Sequence, residues 1–111
     1  MLRLADRLSQ DDLVDLHDLL LDGRARAGVD AAVVIEAGPS VVVDAAHGAG
    51  LGCWSLTCAF RVGPVPVAVV FACDPEHRGR DIEHELLRTA GKIQRRLAQA
   101  IQNGSGARGA A

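Results

Sequence analysis

The spacing of hydrophobic residues changes twice along this chain, and those two changes restrict its fold more than any other feature. Over residues 9–26 and 81–102, apolar side chains recur every three or four positions, which is typical of amphipathic helices. Between the helices lie short, valine-rich runs, which are typical of strands. These runs are residues 31–35, 41–43, 54–62 and 65–73. The order predicts an α+β fold, in which an antiparallel sheet of four or more strands has both terminal helices packed on one face.

The first helix has a complete start signal. Ser9 is a favourable N-cap residue, and Asp12 stands at the third helical position, where its carboxylate can complete a capping box. We therefore expect the helix to begin after Ser9 and to end at a glycine, either Gly23 or Gly28.

Short turns divide the strands into two pairs. Residues 38–40 separate the first two runs and residues 63–64 the last two, which predicts two hairpins. The small, glycine-rich segment 44–53 is expected to be a loop between them. We expect five residues of the first and last runs to lie in the core. These are Val33, Ile35, Val67, Val69 and Phe71.

The last helix repeats apolar residues along one face from Ile82 to Ile101. About twenty-two helical residues measure on the order of 33 Å, whereas a strand of about six residues measures some 20 Å. The far end of the stripe should therefore extend past the sheet and need another helix. This predicts a homodimer through the terminal helices, the first acidic and the last basic. Its expected interface residues are Leu8, Leu16, Leu20, Leu86, Ile93, Leu97 and Ile101.

The length of 111 residues fits one domain. Asn103 and Gly104 predict the end of the last helix. Residues 1–103 are therefore expected to form the domain, and residues 104–111, rich in glycine and alanine, a disordered tail.

Several segments resemble parts of a GAF domain. Residues 63–73, the polar loop after them and the helix opening at Asp81 are similar to the closing half of such domains, and the first helix with residues 28–35 is similar to their start. Ala68 stands where the family usually has a glycine. Residues 44–53 stand where the family inserts helices and loops around a ligand pocket. The resemblance implies a regulatory or sensory module that binds a partner protein or a small ligand.

The order of elements is also similar to that of the roadblock/dynein light chain family, which runs helix, two strands, helix, strands, helix. Residues 44–53 are too few for the middle helix of that family. This second resemblance implies a scaffold that regulates a nucleotide-hydrolysing partner.

Composition and charge exclude some partners. A net charge of -2 gives no overall attraction to nucleic acid or anionic lipid, and one Trp and two Phe offer few faces for base stacking. No apolar run is long enough to span a bilayer. The first ten residues are charged without an apolar stretch behind them, and three cysteines in apolar surroundings indicate reduced thiols. These features predict a cytoplasmic protein that binds neither nucleic acid nor membrane.

The sequence predicts no catalytic, cofactor-binding or metal-binding residues. Cys73 and His77 have a spacing that a metal could use, but a structural zinc site usually shows two close pairs of ligands. Cys73 is also the best candidate for a reactive thiol, because His77 and Arg78 follow it. A thiol-dependent reductase of the free-standing GAF type is therefore one alternative to the leading interpretation, a non-enzymatic regulatory module.

Overall fold

A computed structural model describes residues 4–29, 31–36, 40–44, 54–73 and 80–110. A short 3-10 turn precedes two helices and four strands that follow one another in the predicted order. The turn is Leu4–Arg7, helix α1 is Gln10–Ala27, the strands are β1 Ala31–Glu36, β2 Ser40–Asp44, β3 Trp54–Val62 and β4 Val65–Cys73, and helix α2 is Arg80–Ala110.

The four strands form one antiparallel sheet in the order β2-β1-β4-β3. Two hairpins, β1 with β2 and β3 with β4, are joined in the middle of the sheet by the pairing of β1 with β4. Gly63 in the second hairpin turn has a φ of 60°, which favours glycine. Helix α1 packs on β1 and β2, α2 packs on β3 and β4, and the two helices pack on each other. The predicted α+β architecture is confirmed.

The start of α1 is held by the predicted capping box. The Asp12 backbone N–H donates to Ser9 Oγ at 3.1 Å, and the Ser9 backbone N–H donates to an Asp12 carboxylate oxygen at 2.9 Å. Each of these bonds satisfies a backbone donor at the start of the helix. Gly28, with a φ of 68°, ends the helix in the left-handed conformation, so the second of the two expected glycines is the terminator.

The core lies between the sheet and the two helices. Alternate residues of β1 and β4 face it, and we call this side the inner face of the sheet. Its buried residues on these strands are Ala32, Val34, Val67, Val69 and Phe71. Leu56, Cys58 and Phe60 of β3 are partly buried against the same core. The predicted core positions of Val67, Val69 and Phe71 are confirmed.

Val33 and Ile35 lie on the opposite side of β1 and are only half-buried, so their predicted core positions are wrong. Five consecutive apolar residues in β1 give no alternation that distinguishes the two faces of the strand. Side chains alternate between the two faces along a strand. A wrong assignment of one residue therefore assigns every residue of the strand to the wrong face. Ala32 and Val34 occupy the core instead.

The predicted end of α2 at Asn103 is also wrong, because the structure continues the helix to Ala110. No proline interrupts residues 103–110. Each added residue of a helix gains one backbone hydrogen bond, and a glycine costs only about 1 kcal/mol relative to alanine. A glycine is therefore a weak stop signal where no left-handed cap forms.

Helices α1 and α2 lie close together at Gly23. A Cβ atom added at this glycine would overlap the side chain of Thr89 on α2, and both residues are buried. The missing side chain at Gly23 therefore allows the two helices to lie this near each other.

One arginine joins the acidic start of α1 to α2. Arg96 Nη2 lies 2.7 Å from Asp12 Oδ1 and 2.9 Å from Asp15 Oδ2. The backbone N–H of Ser9 and the guanidinium of Arg96 lower the pKa of Asp12, against an opposing effect of burial. The complementary charges of the two ends of the chain are thus used within one molecule.

Replacing Arg96 with glutamine should lower the free energy of unfolding at neutral pH by about 1 kcal/mol, the upper range for a partly exposed ion pair. The pKa of Asp12 is lower in the folded protein than in the unfolded chain. The stability that its carboxylate contributes is therefore present above the unfolded-state pKa and is lost as the pH falls through the folded-state pKa. Urea unfolding at pH 7 and pH 3 should show a difference between wild type and variant that shrinks in acid.

The neighbouring exposed Arg95 supplies the control, because Arg95→Gln removes the same charge without touching Asp12 or Asp15. This variant should match wild type at both pH values. An Arg96→Gln deficit of equal size at pH 7 and pH 3 would show that the ion pairs do not carry the effect.

Candidate interaction surface

The residues predicted to form a dimer seam lie mainly inside the single chain. Six are buried in its core, and Ile101 is half-buried against it. The six are Leu8, Leu16, Leu20, Leu86, Ile93 and Leu97. Helix α1 lies beside α2 and covers the stripe that the sheet alone could not cover. These six residues therefore expose little surface, at most the 9% of Leu8, and their burial is accounted for by contacts within one chain.

The side of the sheet opposite the helices is apolar as well. We call it the outer face, and it consists of residues that alternate with those of the inner face. Two rows of four residues cross it, one of Asp44, Val33, Val70 and Thr57, the other of Val41, Ile35, Ala68 and Ala59. An antiparallel sheet with one solvated face normally carries polar side chains on that face. Here the two central strands carry none in either row.

The area of the outer face is comparable to that of the largest apolar patches on ordinary monomeric proteins. Four strands about 4.8 Å apart and some six residues of about 3.3 Å each give roughly 20 by 20 Å, or about 400 Å². The largest apolar patch on an ordinary monomer is about 300–600 Å² and is often functional. Val41 on the edge strand β2 is 56% exposed, and Asp44 stands beside it at the rim.

A second exposed apolar side chain lies on α2. Leu87 is 62% exposed, the largest value among the bulky hydrophobic residues of the described structure. One turn further along the helix, nothing but the Arg95 side chain would approach a Cβ atom built at Gly91. Near the same flank, Gln94 Nε2 donates to the carbonyl of Arg61 on β3 at 3.1 Å. This flank of α2 therefore adjoins the free edge of the sheet.

Side chains that could bind a metal do not cluster in the part of the chain that the structure describes. No three His, Cys, Asp or Glu side chains come together there in a group that could hold a metal ion. Cys58 is partly buried on the inner face. The thiol and metal alternatives depend on the side chain of Cys73 and on His77. Neither the Cys73 side chain nor His77 belongs to what the structure describes.

A shallow groove runs between α1 and α2. Its lining is acidic apart from Leu19 and one arginine, Arg96, and the carboxylates are those of Asp15, Asp18 and Asp22. Arg96 binds Asp15, and Arg26 binds Asp22 at 2.9 Å. The first contact joins α2 to α1, and the second is a pair one turn apart within α1, so both belong to the structure of the helices themselves.

A buried carboxylate at the end of β1 was not anticipated from the sequence. Glu36 is on the inner face, and its Oε2 accepts the backbone N–H of Leu4 at 3.0 Å. Leu4 and Leu8 are buried in the same core. Glu36 thus fastens the turn before α1 to the sheet. The only sequence signal is a charged residue directly after an apolar strand, which is equally typical of an exposed strand end.

The search for membrane-spanning helices and for related proteins gave negative results. No helix among the residues that the structure describes is long and apolar enough to cross a membrane. Comparison of the chain with protein-family models, with curated proteins and with solved structures gave no match.

Proposed function

We propose that this protein is a non-enzymatic regulatory module that works as a homodimer and binds a partner protein through the outer face of its sheet. The observation that carries the proposal is the apolar character of that face across both central strands. Val33, Ile35 and Val70 lie there half-buried in the chain, in a place where solvated sheets carry polar side chains. Covering such a surface with a partner removes apolar area from water.

The hydrophobic gain from covering the outer face is comparable in size with the cost of association. The outline of about 400 Å² includes Asp44 and Thr57 at the rim, so at roughly 25 cal/mol per Å² the hydrophobic gain is at most about 10 kcal/mol before the costs of association. Those costs are about 4–15 kcal/mol, so the net affinity is that of a reversible contact. Reversible contacts are the kind that a regulatory module needs.

The resemblance to GAF domains supports the regulatory part of the proposal. Like the closing half of those domains, the chain has a turn at residues 63–64, a largely apolar strand β4 and a helix that opens with Asp81 and Glu83. A cytoplasmic location agrees with this role and with the cysteine content, and belongs to the same proposal.

A photocrosslinking experiment tests the outer face. A benzophenone amino acid at Ala59, an exposed position of that face, should yield an adduct with a distinct protein in cells of the source organism. The same amino acid at Val14, which is 49% exposed on α1, is the control position and should not yield it. Mass spectrometry identifies the adduct.

A substitution on the same face makes the test specific. Val41→Glu introduces a charge on the outer face and should abolish the adduct formed from Ala59, because burying an unpaired carboxylate is costly. Val41 is more than half exposed, so the fold should survive the change. The same adduct from Val14, or an adduct from Ala59 that persists in the Val41→Glu variant, would rule out the outer face as the partner surface.

A further inference from the structure

We propose that two copies of the chain associate through the free edges of their β3 strands, so that the two sheets join into one of eight strands and the two α2 helices pack across the junction. This inference rests on the homodimer of the proposed function and gives it a definite geometry. It does not depend on the partner that binds the outer face.

The two edges of the sheet differ in how far they are protected against pairing. The β2 edge has five residues, and its register with β1 shifts between Val34 and Ile35. Short length and a bulge are the usual means by which natural sheets block an edge. β3 has nine residues and pairs with β4 in unbroken register. No strand lies on its other side among the residues that the structure describes.

The register identifies the backbone groups that β3 offers at this edge. Val62 and Val65 close a two-residue hairpin turn and so exchange both hydrogen bonds. Hydrogen-bonded pairs alternate along an antiparallel ladder, so the N–H and C=O groups of Thr57 and Ala59 point away from β4. The bond from Gln94 to the carbonyl of Arg61 agrees with this alternation, because Arg61 is in the same set.

The flank of α2 above this edge carries the exposed leucine. Leu87, Gln94 and Ile101 are spaced by seven residues and therefore lie along nearly one line of the helix. Gln94 reaches Arg61 on β3, so the middle of this line lies at the strand edge, with Leu87 two turns before it on the same side of the helix. Helix α2 follows β4, whose last residue pairs with Trp54, and its Gln94 reaches Arg61, so we infer that α2 runs along β3 in the direction from Trp54 to Arg61.

The helical rise gives an estimate of where Leu87 falls along β3. Seven helical residues rise about 10 Å, equal to about three residues of strand, so a helix that runs along β3 with Gln94 at Arg61 brings Leu87 level with about Cys58. A two-fold axis at Cys58 would pair Thr57 of each copy with Ala59 of the other through four backbone hydrogen bonds. The same axis brings the Leu87 side chains of both copies together. Arg61 then lies opposite Ser55, away from the other arginine.

The spacing of layers favours a second copy as the occupant over an unrelated strand. Helix α2 packs on both β3 and β4. With strands about 4.8 Å apart, its axis lies about 5 Å from the two-fold axis, so the two α2 helices would be about 10 Å apart. Packed helices lie about 8–10 Å apart. Self-pairing of β3 therefore brings the helices to contact distance without any rearrangement.

The area of this flank also suits a homodimer. Nine strand residues of about 3.3 Å and a layer of sheet plus helix about 20 Å deep give about 600 Å² for each copy. Specific interfaces bury about 800 Å² per partner, with weaker ones below that value. We expect a dimer that forms at micromolar concentration.

Sedimentation equilibrium of the full chain, with Leu87→Asp as the test variant, measures the association. Wild type should reach twice the monomer mass of 11.6 kDa. Leu87→Asp should raise the dimer dissociation constant at least about tenfold, equivalent to about 1.4 kcal/mol. Because Leu87 is 62% exposed, the variant should keep its fold. Val14→Asp, on α1, is the matched control and should dimerise like wild type.

Hydrogen exchange of the β3 backbone amides provides a second test of the dimer. The amides of Thr57 and Ala59 should exchange slowly in wild type and rapidly in Leu87→Asp, since only the dimer gives them acceptors. A wild-type monomer throughout the micromolar range would overturn the inference, as would a dimer that Leu87→Asp leaves intact. Crosslinks from Ala59 to a different protein that persist in a monomeric wild type would overturn this inference and the homodimer, while supporting the outer face as the partner surface.

Discussion

Replacing Phe71 with alanine should lower the free energy of unfolding by about 3–5 kcal/mol, the range for a fully buried phenylalanine. Phe71 is 0% exposed and lies on the central strand β4, opposite Ala32 on β1 and Leu56 on β3. Ala32 is too small to fill the space that the ring leaves. Since a domain has about 5–15 kcal/mol of stability in all, the loss is a large part of it. Urea unfolding followed by circular dichroism measures it.

Val70 provides the comparison, because it is the next residue of β4 and lies half-buried on the outer face. Val70→Ala should cost less than half as much as Phe71→Ala. Phe71→Ala could be too unstable to purify. In that case Phe71→Leu, which retains most of the side-chain volume, should lower the free energy of unfolding by about 1.5 kcal/mol. Equal losses at Phe71 and Val70 would contradict the assignment of the inner face.

Replacing Gly23 with alanine should destabilise the protein by about 1–3 kcal/mol, even though alanine favours helix by about 1 kcal/mol over glycine. The new methyl group would overlap the buried side chain of Thr89, so α1 and α2 would have to move apart. The movement would also strain the contacts of Arg96 with Asp12 and Asp15. Thermal and urea unfolding of the variant provide the measurement.

Two further variants isolate the cause. In the double variant Gly23→Ala with Thr89→Ala, the methyl group gains room, and the loss should be smaller than the sum of the two single losses. Gly91→Ala adds a methyl group that meets only the Arg95 side chain at 3.8 Å, so it should be neutral or slightly stabilising. Additive losses at Gly23 and Thr89 would contradict a direct contact between them.

The sequence predicts the elements of this fold well, because each has a strong local signal. The capping residues of α1 and the turn at Gly63 depend on neighbours within a few positions, and these features appear as expected. The face of β1 could not be predicted, since its apolar residues do not alternate. The end of α2 was placed too early, because a glycine in sequence does not show whether the left-handed cap forms.

The candidate surface was less predictable for a different reason. The apolar stripe of α2 shows that a helical partner is needed, but not that α1 of the same chain supplies it. Gly23 opposite Thr89 and Arg96 opposite Asp12 are contacts between residues far apart in sequence. The outer face likewise depends on the register of four strands. The valine-rich sequence of β4 lacks the alternation of a strand with one solvated face, and this is the sequence signal that indicates an apolar outer face.

The position of the β1–β4 pairing has a consequence for how the chain acquires its structure. The turn with α1, β1 and β2 forms one half of the molecule and β3, β4 and α2 the other, each made of a hairpin and the helix that packs on it. Contacts within a half are close in sequence and form early, whereas joining the halves must close a longer loop. Docking of two preformed hairpins is therefore the step expected to limit folding. Until it is complete, the inner edges of β1 and β4 remain open to the complementary half of another chain, which is the condition for exchange of halves between molecules.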